Sequence, residues 1–161
     1  MRILSDGVRA IIYASGFIAF FWWLALNISR LDQTVAGRLP SWTEIPGTIL
    51  MIAGGILALA CVGVFVVRGR GTAAPFDPPQ RFVAIGPYKF VRNPMYIGGL
   101  AMLLGFGLYL RALSVLGFTA MVGFVLHLFV LYFEEPDLER RFGSSYLDYR
   151  KRVNRWIPRW R

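Results

Sequence analysis

The sequence predicts an all-α membrane protein: a polytopic helix bundle of about four transmembrane helices, with a helical hairpin and a C-terminal interfacial amphipathic helix. Three observations predict it. Hydrophobic residues make up 56% of the 161, charged residues 17%, and the mean hydropathy is +0.51, more apolar surface than so short a chain can bury around its own core. Long uncharged stretches recur along it, and the charges collect between them.

The first stretch lies between Arg9 and Arg30, twenty residues without a charge. At about 1.5 Å per helical residue it matches a hydrocarbon core of roughly 30 Å. It is longer than the apolar part of a signal peptide, and no small-residue cleavage site precedes Arg30, so it is expected to stay in the mature protein. Pro46 to Val67 forms the second span. Its Gly54 and Ala58 make a small-xxx-small pair suited to close helix contact, and its Cys61, the only cysteine, reads as a small buried apolar residue. From Asn93 to Phe133 the one charge is Arg111, which predicts a hairpin of a short span, Met95 to Leu110, and a full one, Ala112 to Phe133.

Between the second span and the hairpin runs the loop from Arg68 to Arg92, too rich in turn formers (RGRGTAAPFDPPQ) for a helix and long enough to fold over a site as part of a lid. Beyond the hairpin, Glu135 to Phe142 has helical character, with Gly143 placed to stop it. Ser144 or Ser145 is expected to cap a further helix in which Tyr146, Tyr149 and Val153 share a face ringed by Arg150, Lys151, Arg152 and Arg155. This helix would lie at the headgroups, with Trp156 and Trp160 as anchors, or help close a site. The chain reads as one integral-membrane domain, 1–161, with a two-helix scaffold over 1–67 and a cofactor-binding catalytic region over 68–161.

Of eighteen basic residues, five lie between Arg68 and Arg92 and eight between Arg140 and Arg161. The positive-inside rule then places the second loop, both termini and any site built there on the cytoplasmic face. The net charge of +9 is accounted for as topology and attraction to anionic headgroups, and a nucleic-acid partner is not expected. No G-x-G-x-x-G follows a strand pattern, which argues against a Rossmann-type domain, and no His, Cys and carboxylate spacing suggests a metal.

Chemistry gathers at the ends of the hairpin. Asn93 followed by Pro94 is a strong helix start, with Asn as N-cap and Pro at the first helical position. Free N–H groups and the positive dipole end there suit a carboxylate, and Arg92 beside them can pair bidentately with one. Gly98 and Gly105 fall on one helix face, where absent side chains admit either a neighbouring helix or a flat adenine. Glu134 and Glu135 end the last span as adjacent carboxylates at a low-dielectric boundary, where ionisable groups are costly and generally functional. About 100° apart on a helix, only one of them can face a pocket directly. His127, inside the same span, is a candidate substrate contact.

The combination of GPY and a basic residue, then VRNPMYIG, then a hydrophobic hairpin ending in Glu134-Glu135, resembles the family of isoprenylcysteine carboxyl methyltransferases and phospholipid N-methyltransferases. The resemblance covers roughly residues 80 to 160. It implies an integral-membrane enzyme that transfers a methyl group from S-adenosyl-L-methionine to a lipophilic acceptor, isoprenylcysteine-carboxylate-like or a lipid amine. It also implies a cofactor pocket formed by Gly86, Pro87, Tyr88, Arg92, Asn93, Pro94, Tyr96, Gly98, Gly105, Gly107, Glu134 and Glu135. Arg92, Asn93 and Glu134 are then the candidate catalytic residues, and His127, Tyr146 and Tyr149 the candidate substrate contacts. Relatives commonly have His at the position of Asn93; Asn cannot take a proton at neutral pH, so a hydrogen-bonding role is the one that carries over. A carboxylate acceptor needs no general base, whereas an amine must first lose a proton. Two other classes compete: an NADPH-dependent reductase like the C-terminal region of sterol reductases, and a non-enzymatic lipid-binding membrane protein.

Overall fold

The computed structural model describes residues 2–33, 38–69 and 82–159. Residues 70–81, about half of the expected lid, and Trp160, one of the expected anchors, lie outside them. Six α-helices are described: α1 Arg2–Ser29, α2 Glu44–Val64, α3 Pro94–Tyr109, α4 Leu113–Phe129, α5 Glu135–Phe142 and α6 Ser144–Arg152. Among the described residues there is no β-strand, only two isolated bridges. Three stretches are long and apolar enough to cross a membrane, Ile12–Asp32, Ser41–Arg68 and Leu113–Phe142, and α3 is a shorter apolar helix. The expected four-helix membrane bundle is therefore the observed one.

Glycine sets the packing of α2 on α3. Gly47 faces Gly105 and Gly54 faces Gly98, in antiparallel register. A Cβ built on Gly105 would stand 2.5 Å from the Gly47 carbonyl oxygen, and one on Gly54 2.6 Å from that of Gly98. Ala58, the partner of Gly54 in the small-residue pair, meets Gly98. One turn pair further along the same face, Cys61 is buried with Val83 and Tyr88. Helices α2 and α3 thus meet backbone to backbone. Gly105→Ala must push two backbones apart, an overpacking cost of about 1 to 3 kcal/mol offset by about 1 kcal/mol of helix propensity. The expected result is a net loss of up to about 2 kcal/mol in thermal unfolding, whereas Gly99→Ala, at a position with nothing within 4 Å, should lose nothing.

Helix α1 completes the bundle through Ala25, which packs with Leu103 and Phe106 of α3 and Val115 and Phe118 of α4, and through Trp22 stacked on Phe106 at 3.9 Å. At the end away from the Glu pair, Asp32 is buried and its carboxylate accepts from the Ser114 amide at 3.0 Å and the Ser114 hydroxyl at 2.6 Å. A carboxylate from another segment thereby caps the start of α4, meeting both its free donors and its dipole.

The path from α4 to α5 is one continuous helical run broken by a π turn, Val130–Glu134. Pro136 has no N–H to offer the carbonyl four residues back and its ring crowds that carbonyl, so the ladder widens just before it. The expected cap of α6 is corrected: neither Ser144 nor Ser145 forms one. Gly143 holds the N-cap position with φ 53°, ψ −129° and no side-chain cap bond, a conformation that favours glycine. The expected face of α6 is present but turned inward, with Tyr146, Tyr149 and Val153 packed on Phe82, Ala84, Leu138 and Phe142.

Candidate functional site

The start of α3, the π turn into α5 and the C-terminal tail converge on one end of the bundle. Two structural features bring them together. Pro94 opens α3 and places Arg92 and Asn93 just ahead of its first turn. The tail beyond α6 is extended at Val153 (φ −120°, ψ 127°) and runs parallel to Val91. The Arg92 amide donates to Asn154 O at 2.9 Å and the Asn93 amide to Arg155 O at 3.3 Å.

Asn93 is buried and in the N-cap position, but its side chain makes no cap bond; Nδ2 reaches Arg155 O at 3.5 Å. The expectation that its side chain caps α3 is therefore corrected. With φ −122° and ψ 52°, the backbone turns the amide towards the tail instead of back over its own helix.

The adjacent glutamates separate as two residues about 100° apart must. Glu135 is 8% exposed and takes two arginines: Arg92 Nη2 lies 2.9 Å from Oε1, while Arg155 donates through Nε to Oε1 at 2.7 Å and through Nη2 to Oε2 at 2.9 Å. Glu134 accepts from the Tyr96 hydroxyl at 2.7 Å through Oε2, and its Oε1 has no partner among the described residues. Arg92 is 10% exposed; its Nη1 reaches the Tyr146 hydroxyl at 3.5 Å, and its Nε is buried with no hydrogen-bond partner. A buried donor left unpaired costs about 1 to 3 kcal/mol, so an acceptor group bound at this place would be favoured.

Burial pushes the Tyr146 hydroxyl up to about 12, with Glu135 adding to the effect and Arg92 opposing it. Burial likewise raises Tyr149, whose hydroxyl donates to Tyr88 O at 2.6 Å. Both phenols are neutral at physiological pH. Arg155 is raised by its hydrogen bond to Glu135. Gly86, at φ +60°, and Pro87 form the Gly86–Lys89 turn that seats Tyr88 in the core.

Arg92, Asn93, Pro94, Tyr96, Glu134, Glu135 and Tyr146 are thus gathered at one place, with Gly86, Pro87, Tyr88 and Tyr149 in the turn and tail that back it. Gly98, Gly105 and Gly107 of α3 face neighbouring helices. The space beside Gly98 and Gly105 is filled by α2, and Gly107 abuts Val115 and Leu116 of α4. Gly105 and Gly107 also stand some 17 Å or more along the axis from Asn93 at about 1.5 Å per residue. Of the two readings of Gly98 and Gly105, a neighbouring helix or a flat adenine, the helix is the one present. His127 is a turn or more from the pair, and its Nδ1 accepts from Trp156 Nε1 at 3.0 Å, which pins the tail to α4. Arg155 and the π turn were not anticipated. Pro136 signals the second; nothing in spacing signals the first, because its partner is reached only through the fold of the tail.

The phospholipid methyltransferase family model matches residues 42–145, about two thirds of the chain. Methanethiol S-methyltransferase 2 of Bradyrhizobium diazoefficiens is 39% identical over 79 residues, a match covering 45% of this chain and 27% of that protein. The chain therefore matches only about a quarter of that relative's length. Among solved structures, the eukaryotic intramembrane Ras methyltransferase, isoprenylcysteine carboxyl methyltransferase, is similar with a TM-score of 0.64 and 18% identity, over 89% of this chain and 53% of that one. At that identity the likeness is one of fold.

Proposed function

The chain belongs to the phospholipid methyltransferase family, and we propose that it transfers a methyl group from S-adenosyl-L-methionine to a lipophilic acceptor at the Arg92–Glu134 end of the bundle. The observation that carries this reading is the buried Arg92 Nε, which has no hydrogen-bond partner, at the same end of the bundle as Glu134, whose Oε1 has no partner among the described residues. One free donor fits a carboxylate, and one free acceptor fits an ammonium or a ribose diol, the groups the cofactor carries. Arg92 and the α3 N-terminus would hold the carboxylate; Glu134, oriented by Tyr96, would hold the ammonium or the diol. When bound, the cofactor supplies an electrophilic methyl group on a sulfonium. The protein's share is then positioning and exclusion of water, and the packing of α6 and Tyr146 over the site serves both.

The acceptor would enter from the bilayer, as an isoprenylcysteine-like carboxylate or a lipid amine. The name of the bacterial relative favours a second reading, a small apolar thiol. A carboxylate arrives ionised, whereas an amine or thiol must shed a proton before transfer. A dinucleotide is disfavoured, because its phosphates would meet the Glu134 carboxylate. The thirteen basic residues of the second loop and tail support a cytoplasmic site under the positive-inside rule.

Detergent-solubilised protein is expected to gain thermal stability from S-adenosylhomocysteine, about 2.7 kcal/mol at a hundredfold excess over Kd, and to show no gain with NADPH. A response to NADPH alone would refute the reading. A labelled-methyl assay on lipid extracts would then identify the acceptor.

A further inference from the structure

The buried cluster at the site holds two guanidinium groups and one carboxylate, Arg92, Arg155 and Glu135. The division of labour among their atoms is uneven. Arg155 takes both oxygens of Glu135 in a fork, at 2.7 and 2.9 Å, the geometry in which a guanidinium binds a carboxylate best. Arg92 is left with a single contact, Nη2 to Oε1 at 2.9 Å. Its Nε is buried and unpaired, and its Nη1 has only the long contact to Tyr146. A carboxylate facing one arginine draws it into a two-pronged pair and consumes its donors. A carboxylate already forked by another cannot.

We infer that Arg155 is a positioning residue: by occupying both oxygens of Glu135 it keeps the remaining donors of Arg92 free for a carboxylate of the ligand. The inference rests on the proposed reading that Arg92 binds such a group. It gives the tail a function beyond covering the site. The main chain of Asn154 and Arg155 accepts the Arg92 and Asn93 amides, Trp156 fixes the segment to His127, and Arg155, 24% exposed, closes the cluster from its outer side. The open donors of Arg92 favour an anionic group there. That group is a carboxylate either of the methyl donor or of the acceptor.

The test uses the full chain in detergent, with Arg155→Lys alone and combined with Glu135→Gln, and three probes: S-adenosylhomocysteine, 5′-methylthioadenosine, which lacks the amino-acid portion, and N-acetyl-S-farnesylcysteine as a carboxylate acceptor. Lysine keeps the charge but cannot fork, so Glu135 should capture Arg92. S-adenosylhomocysteine should then bind about tenfold more weakly, the scale of one hydrogen bond to a charged group, with 5′-methylthioadenosine unchanged. If the acceptor supplies the carboxylate, N-acetyl-S-farnesylcysteine weakens instead. Adding Glu135→Gln removes the competitor and should restore that affinity to within about threefold while Tm falls further, opposite movements that a merely structural role for Arg155 does not produce. Unchanged binding of both carboxylate probes by Arg155→Lys, equal weakening of all three, or a double variant weaker than the single one overturns the inference. Failure of the unsubstituted protein to bind S-adenosylhomocysteine overturns the proposed function itself.

Discussion

Glu135→Gln is expected to destabilise the protein by about 3 kcal/mol, the lower end of the range for removing one partner of a buried ion pair. The substitution keeps the side chain's shape, so the loss comes from charge alone. It leaves Arg92 and Arg155, 10% and 24% exposed, facing each other across an amide, with their desolvation no longer compensated. The partial exposure of Arg155 lets water screen part of the repulsion, which is why the lower end applies. Glu139→Gln provides the contrast. Its pair with Arg150 at 3.2 Å is 45% and 47% exposed, and exposed pairs contribute about 0 to 1 kcal/mol. Thermal unfolding of both variants in the same detergent measures the difference, and comparable losses would show that the triad is screened and weak.

Much of this was legible in the sequence because the relevant physics is local. Twenty uncharged residues specify a span wherever they occur, and the basic loops follow from the same rule. The adjacency of Glu134 and Glu135 announced that one carboxylate would turn away from the other. What it could not announce was which one serves the fold. That depended on Arg155, placed within reach of Glu135 by Gly143, by the packing of Tyr146 and Tyr149, and by the extended run after Val153. The glycines of α3 show the opposite limit. Gly98 and Gly105 were readable as a face that something approaches closely, but a helix and a flat ring demand the same absence of a side chain. Only the matching Gly47 and Gly54, at the same seven-residue interval on α2, decides for the helix. Asn93 failed as a capping signal because the Arg155 carbonyl, distant in sequence, accepts from both its main-chain and its side-chain amide and draws the side chain towards the tail.

Glu134→Gln should do to binding what Glu135→Gln does to stability. Glu134 has a single described partner, the Tyr96 hydroxyl at 2.7 Å, and no arginine, so neutralising it leaves no uncompensated cation. The fold should tolerate the change. Its free oxygen is the proposed acceptor for the cofactor's ammonium or ribose diol, so affinity for S-adenosylhomocysteine should fall by about 1.5 to 3 kcal/mol, the scale of a hydrogen bond to a charged group, which is about tenfold or more. Tyr96→Phe should weaken binding by less, about 0.5 to 1.5 kcal/mol, because it releases the orientation of Oε2 without removing the charge. If Tyr96 acts only by holding Glu134, adding Tyr96→Phe to Glu134→Gln should cost less than the sum of the two single changes. Calorimetric titration of the four proteins measures this directly. Full additivity would assign Tyr96 its own contact with the ligand, and an unchanged affinity in Glu134→Gln would remove Glu134 from the site.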